Sequence, residues 1–248
     1  MRLLVVGNGR MGRLVVEHAP AYGFEVAAVL DQPENEGGAG ATAERCRGVD
    51  VAVDFSTAEA TLATAPRLAR LGLPLVIGTT GWQAREAELR AAVAEARVGA
   101  VVAANFSLGA NVLDALVEAA GRLLKDAEPY GAYVHEAHHA AKKDAPSGTA
   151  LMLCRALERG GYARPVDVSS TRAGWIPGTH TVGFDGKAET LELVHAVRDR
   201  ATFAHGALAA ARWVVGKRGW FTMRDVLGLS SRGAPFEPGA EGSAVTRR

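Results

Sequence analysis

The sequence predicts an α/β protein in two parts: a doubly wound parallel sheet, then a smaller α+β domain. Three observations predict it. Short apolar runs alternate with helical stretches through about the first hundred residues, the pattern of a parallel sheet covered on both faces. A glycine-rich turn follows the first run. After Phe106 the rhythm changes to one long helix and then a strand-rich region. The 248 residues suffice for two modest domains with a sizeable core.

The elements follow in order. Leu3-Leu4-Val5-Val6 is a strand ending in glycine, and residues 11–19 have helical spacing. Residues 25–30 form the second strand, ending at Asp31. Residues 49–55 are the next apolar run, followed by an Ala- and Leu-rich helix over 57–71. Leu75-Val76-Ile77 and Val101-Val102-Ala103 are further strands, with a helix over 82–96 between them. A long helix is expected over 108–125, a strand over 130–138 and a helix over 147–158. Residues 166–197 read as strands with polar or glycine-rich turns. A last helix over 203–215 returns to the first domain, and the Gly-, Ser- and Pro-rich tail from Ser231 is expected to fray. The expected division is 1–107 with 202–248 in one domain and 108–201 in the other.

Gly7-Asn8-Gly9-Arg10-Met11-Gly12 is a G-x-G-x-x-G pattern between a strand and a helix. Gly7 permits the tight turn, Gly9 lets backbone N–H groups approach a pyrophosphate, and Gly12 allows close helix–strand packing. The helix N-terminus adds partial positive charge. In this position the pattern favours a Rossmann-type dinucleotide site over a plain glycine-rich turn. The residue ending the second strand reads the adenosine ribose in such sites, and here it is Asp31, followed by Gln32. A carboxylate accepts from both ribose hydroxyls and repels a 2′-phosphate. NADH is therefore the preferred cofactor and NADPH the second candidate, drawn by Arg10 or Arg13.

The chain has five lysines against 23 arginines, and two of the five follow a histidine cluster. The segment runs His135-Glu136-Ala137-His138-His139-Ala140-Ala141-Lys142-Lys143-Asp144-Ala145-Pro146-Ser147-Gly148-Thr149. On a strand, His135 and His139 point away from Glu136 and His138. One compact metal cluster is hard to build from that segment, and no metal is assigned. An anion-binding catalytic site fits better. Ser147 or Thr149 caps a helix whose free N–H groups can hold a carboxylate. Lys142 is a compact cation for a second carboxylate, and His138 titrates near neutrality and can deliver a proton. Lys143 reads as a solvated neighbour.

Charged residues nearly balance, 28 basic against 27 acidic, so composition points to neither nucleic acid nor an anionic membrane as partner. No stretch of about 20 apolar residues suggests a membrane span. Two cysteines, Cys46 and Cys154, are too few for a disulfide framework, and the expected compartment is the reducing cytoplasm.

These motifs resemble the 4-hydroxy-tetrahydrodipicolinate reductase (dihydrodipicolinate reductase) family over nearly the whole chain. The most specific match is Glu136-Ala137-His138-His139 continuing through Lys142 to Asp144-Ala145-Pro146-Ser147-Gly148-Thr149-Ala150. Supporting matches are Gly9-Arg10-Met11-Gly12, Val53-Asp54-Phe55-Ser56, Ile77-Gly78-Thr79-Thr80-Gly81, Ala103-Ala104-Asn105-Phe106-Ser107, Gly178-Thr179-His180-Thr181, Arg200-Ala201-Thr202-Phe203 and Met223-Arg224-Asp225-Val226-Leu227. The resemblance implies a substrate-binding domain whose sheet assembles a homotetramer. It implies that His138 is the proton donor, with Lys142 assisting. It implies that His139, Ser147, Gly148 and Thr149 bind the carboxylates of a small dicarboxylate. It also implies that Gly78, Thr79, Thr80, Ala103, Ala104, Asn105 and Phe106 line the nicotinamide half of the cleft. The chain departs from the family's common form in a glycine loop one residue shorter, in a connection between Val166 and Arg172 shorter than in longer members, and in Asp31-Gln32 where an acid–arginine pair is usual. The rival readings are another small reductase with the same glycine loop, such as an aspartate dehydrogenase or a sugar oxidoreductase, and a dinucleotide-sensing module without turnover. Neither accounts for the segment from His138 to Thr149.

Overall fold

The computed structural model describes residues 1–229; the tail from Ser231 lies outside the described residues. The chain runs β1 (Arg2–Val6), α1 (Arg10–His18), β2 (Glu25–Leu30), β3 (Val51–Asp54), α2 (Ala58–Arg70), β4 (Leu75–Ile77), α3 (Glu86–Ala96) and β5 (Gly99–Val102). It continues through α4 (Leu108–Leu124), β6 (Gly131–His138), α5 (Gly148–Arg159), β7 (Val166–Arg172), β8 (Thr179–Asp185), β9 (Thr190–Ala196), α6 (Ala201–Val214), β10 (Gly219–Phe221) and α7 (Met223–Val226).

The first sheet is entirely parallel, in the order β10-β5-β4-β3-β1-β2. Its strands are apolar on both faces because both are covered. Leu3 and Val5 point with Val53 and Val101 into a core closed by Val15 of α1 and by Ala207, Leu208 and Ala211 of α6. Leu4 and Val6 point the opposite way, with Ala52 and Ile77, against Leu68 of α2 and Leu89 and Val93 of α3. The strand order reverses at β1, which pairs with β2 on one side and β3 on the other. A ligand crevice forms at such a switch point, outside the carboxyl ends of the strands.

The second sheet has the order β7-β6-β8-β9, with β6–β7 parallel and the other two pairs antiparallel. One face packs on α4 and α5 through Val134, Val182, Phe184, Leu113, Val117, Leu153 and Leu157. Residues 166–172, read from sequence as strand-like, are strand β7. The parallel partner β6, far away in sequence, supplies the hydrogen bonds that make them a strand. The edge strand β10 and helix α7 were not expected. A strand of three residues is too short for a periodicity to register, and it exists because β5 offers it an open edge.

α6 returns to the first sheet, as the sequence predicts. Gly206 lets it lie against the backbone of Phe106, where a Cβ would sit 1.7 Å from the carbonyl oxygen. On the other side of the junction, Asp114 of α4 accepts from Arg159 of α5 and from Arg224 of α7, at 2.7 and 2.8 Å.

Candidate active site

The glycine turn sits at the end of β1 as its spacing requires. Gly7 has φ +93°, and its N–H donates to Leu30 O at 2.8 Å, bringing the turn beside the end of β2. A Cβ on Gly12 would lie 1.9 Å from the Gly7 carbonyl oxygen, so only glycine lets α1 start this close to the strand. A Cβ on Gly9 would meet nothing, because the residue fronts open space. α1 has no side-chain cap and no acidic residue in its first turn. Its leading N–H groups are thus available to an anion. Asn8 and Arg10 are exposed, and Arg13 Nε donates to Asn8 O at 3.0 Å. Asp31 is exposed just past β2. These features fit a dinucleotide.

A cleft of about 480 Å³ continues from this turn, lined by Arg10, Met11, Phe55, Gly78, Thr80 and Arg200 among others. Gly78 is required by its neighbour, since a Cβ there would fall 2.0 Å from Cε1 of Phe55. Thr79 is buried, and its hydroxyl donates to Asp54 Oδ1 at 3.0 Å. Asp54 also accepts from the Ser56 hydroxyl at 2.6 Å. Burial pushes the Asp54 carboxyl upward against these hydrogen bonds. Thr79 thus braces the cleft wall, while Thr80 is exposed to the opening. Residues 103–106, expected to form a second wall, are not among those lining this cleft: Ala104 is exposed and Asn105 half-buried, and the Phe106 ring is buried edge-on to Phe55 in the core.

Asn105 joins the two halves of the site. Its Nδ2 donates to Thr149 Oγ1 at 3.3 Å, and its Oδ1 accepts from Ser107 N at 2.8 Å. Thr149 lies in the first turn of α5. Ser147 is the N-cap, accepting from Ala150 N at 3.2 Å. Its buried hydroxyl also meets His180 Nε2 at 3.2 Å, so Ser147 shapes the helix start rather than presenting a free group. Gly148 is exposed, and a Cβ there would meet nothing.

β6 places Glu136 and His138 on its buried face and His135 on the other, where His135 Nδ1 meets Ser169 Oγ at 2.9 Å. His138 Nδ1 sits directly against Glu136 Oε2. Glu136 is fully buried, and its Oε1 accepts from Arg172 Nη2 and Ser170 Oγ, both at 2.6 Å, and from Ser147 N at 3.3 Å. Burial opposes ionisation of Glu136, but the Arg172 and Ser170 hydrogen bonds and the His138 charge outweigh it and bring its pKa down to about 2. For His138, burial lowers the pKa first, Glu136 pulls it up, and Lys142 and Arg172 push it down, with a net lowering. Lys142 Nζ donates to both oxygens of Asp144, at 2.8 and 2.9 Å. His139 follows the strand end and is half-buried, and Lys143 is exposed.

His180 stands edge-on to His138 with ring centroids 5.1 Å apart, and burial first, then the His138 charge, lower its pKa to about 4. Glu136, His138 and His180 thus offer three donor atoms within 4.8 Å of one another. The segment alone does not reveal this group, because its third member comes from β8. Oε1 of Glu136 is taken up by three donors, one of them a guanidinium, and its Oε2 faces His138.

Glu136, Arg172, Ser170, His180, Phe55 and Arg200 carry no role in the sequence reading. Glu136 had a local signal, its two-residue spacing from His138 on a strand, and Phe55, His180 and Arg200 lie in the motifs that carry the family resemblance.

Comparison with known proteins agrees with this architecture. Residues 1–106 match the family description "Dihydrodipicolinate reductase, N-terminus" and residues 109–227 match "Dihydrodipicolinate reductase, C-terminus". The chain is 39% identical over 267 aligned residues to the 4-hydroxy-tetrahydrodipicolinate reductase of Thiobacillus denitrificans, covering 92% of this chain and 99% of the relative. The enzyme of that name from Archaeoglobus fulgidus is 38% identical over 260 aligned residues, covering 92% and 100%. Among solved structures, a dipicolinate-bound dihydrodipicolinate reductase from Paenisporosarcina sp. TG-14 superposes with a TM-score of 0.75. That alignment covers 90% of this chain and 97% of the other at 19% identity, a likeness of fold. With both halves matched in order and relatives aligned nearly end to end, the chain belongs to the dihydrodipicolinate reductase family.

Proposed function

We propose that the chain reduces 4-hydroxy-tetrahydrodipicolinate to tetrahydrodipicolinate in lysine and diaminopimelate biosynthesis. Residues 1–107 with 202–248 bind the nicotinamide cofactor and 108–201 bind the substrate. The observation that carries this reading is the Asn105–Thr149 hydrogen bond, which ties the end of the nucleotide-binding sheet to the start of α5.

Bound NADH supplies the hydride. Gly7, Asn8, Gly9, Arg10, Met11 and Gly12 hold its pyrophosphate on the α1 N-terminus, and Asp31 accepts from its ribose. Gly78, Thr80 and the 103–106 turn are the residues that would hold the nicotinamide end. The substrate carries two carboxylates. Gly148 and Thr149 present backbone N–H groups to one, and Lys142 and His139 supply positive or donor groups to the other. A substrate carboxylate at Lys142 takes the place that Asp144 holds in the structure. The 4-hydroxyl group leaves as water to give a conjugated ring; hydride then adds to one ring carbon, His138 delivers the proton to its neighbour, and Lys142 offsets the charge that develops.

The test is cofactor oxidation, followed by absorbance, with substrate generated in situ by the preceding synthase. Oxidation that needs both the synthase product and this chain supports the reading. Cofactor binding without turnover replaces it with a dinucleotide-sensing role.

The face of the second sheet turned away from α4 and α5 carries Tyr133, His135, Thr181 and Val194, with Val194 58% exposed. That face supports assembly as a homotetramer of about 100 kDa, four times the 25.9 kDa chain. Light scattering that returns a monomer at micromolar concentration rejects it. Cys46 and Cys154 are both free thiols, which supports a reducing, cytoplasmic setting. No helix among the described residues is long and apolar enough to cross a membrane.

A further inference from the structure

We propose that Glu136 is the positioning residue for His138: held by Arg172, its carboxylate keeps the imidazole proton on Nδ1 and leaves Nε2 as the atom that exchanges a proton with substrate. The inference rests on the acid role given to His138 above and deepens it.

The geometry leaves one arrangement. Glu136 Oε2 and His138 Nδ1 touch, both are buried, and neither has another hydrogen-bond partner among the described residues. Two bare acceptors in that position would repel, so one of the pair carries a proton. Three donors converge on the other oxygen, Oε1: the Arg172 guanidinium, the Ser170 hydroxyl and the Ser147 N–H. Donors that saturate one oxygen stabilise the ionised carboxylate and not the acid. The proton in the contact therefore belongs to Nδ1.

Sheet register builds the clamp. Glu136 pairs with Ser170 and His138 with Arg172 across β6–β7, so both donors arrive on the same buried face. Arg172 is itself fixed, since its Nη1 donates to Thr171 O at 2.8 Å and its Nη2 to Asp144 O at 2.6 Å. The second contact also anchors the turn that carries Lys142. At the far edge of the ring, a Cβ on Gly178 would lie 3.1 Å from Nε2, so glycine leaves that nitrogen room.

The other titratable groups around the ring are His180 of β8, Lys142 and Asp144 of the following turn, and Arg172 of β7, with His195 of β9 behind His180. Of these, Lys142 and Arg172 act against protonation of His138, and Glu136 is the group that favours it. With a neutral amide at position 136, two consequences follow together. A side-chain N–H can face Nδ1 and move the ring proton to Nε2, and the cationic ring loses its counter-charge.

The experiment combines an NMR measurement with kinetics. Histidine-selective nitrogen-15 spectra of the full-length wild type are recorded at about pH 8, where an imidazole is neutral. The His138 signal is assigned by its loss in His138→Gln. The expected result is the Nδ1–H tautomer in the wild type and Nε2–H in Glu136→Gln. Glu136→Gln should also lower kcat by about 10²-fold or more, as a wrong tautomer does. Its KM for cofactor should be unchanged, and the histidine limb of its pH profile should move to lower pH. A wild-type ring protonated on Nε2, or a Glu136→Gln variant with wild-type kcat and pH profile, overturns the proposal. The wild-type spectrum decides the matter if that variant does not fold. Because the tautomer is read without turnover, its result stands apart from failure of the proposed reaction, which appears as full activity in His138→Gln.

Discussion

Asn105 Nδ2 lies 3.3 Å from Thr149 Oγ1, a hydrogen bond between residues 44 positions apart on different sheets' connections. It sets the turn after β5 against the first turn of α5. In the proposed reaction this bond would hold the cofactor and substrate ends of the site at a defined separation, which hydride transfer between two bound molecules demands.

Acid and charge partner should both matter. His138→Gln and Lys142→Ala are each expected to lower turnover by about 10²-fold or more. Cofactor affinity should stay near that of the wild type, since neither side chain belongs to the glycine turn. Steady-state kinetics beside a fluorescence titration with NADH separates the two effects. Near-normal turnover in both variants rejects the assigned roles.

The glycines of the turn should fail in different ways. Gly12→Ala pushes a methyl group to 1.9 Å from the Gly7 carbonyl oxygen and is expected to cost about 1–3 kcal/mol of stability. Gly9→Ala meets no protein atom, so its melting temperature should not change. Its methyl group would occupy the approach to the pyrophosphate, and NADH binding should weaken by about tenfold or more. Thermal melts paired with NADH titrations test this, and equal melting temperatures for the two variants would contradict it.

Cofactor choice should follow charge at the end of β2. Asp31 is exposed, so solvent screens its repulsion of a 2′-phosphate, and a difference of about 1.4 kcal/mol gives a tenfold preference for NADH. Asp31→Ala with Gln32→Arg removes the repulsion and adds an attraction, and should move the preference toward NADPH. The measurement is kcat/KM for both cofactors at fixed substrate. A wild type that strongly prefers NADPH, or an unchanged ratio in the double variant, locates specificity elsewhere in the turn.

Buried histidines should make the fold acid-sensitive well above the carboxylate range. Burial first, then the nearby His138 charge, hold His180 neutral down to about pH 4, against a usual 6.5. Between those values the unfolded chain binds more protons than the folded one, so stability rises with pH through the window. The contribution is fully present above about 6.5 and is lost progressively toward 4, by up to about 3 kcal/mol for this one group. His138 and His195, also lowered by burial, add in the same sense. Urea unfolding from pH 7 to pH 4 should show the slope, and His180→Gln should flatten it. An equal slope in the variant would assign the acid sensitivity to other groups.

Much of the protein is determined by local sequence. The two-sided apolar strands dictate a sheet covered on both faces, and the spacing of Gly7, Gly9 and Gly12 dictates a tight turn that opens a helix with its N-terminus toward open space. The run from His138 to Thr149 placed an acid, a cation and a helix N-terminus within twelve residues. Periodicity states which way a side chain faces but not what it meets. The clamp on Glu136 depends on register between β6 and β7, with Ser170 and Arg172 some 34 and 36 residues away, and His180 arrives 44 residues after Glu136 through β8. The pairing of those strands is a collective result of how Val134, Val182, Phe184 and the faces of α4 and α5 pack, and no single segment encodes it. The sequence by itself therefore determined the chemical inventory and the direction each group faces. Only the tertiary structure decided that a buried carboxylate stands behind the histidine, because long-range strand register is settled by the packing of the whole core.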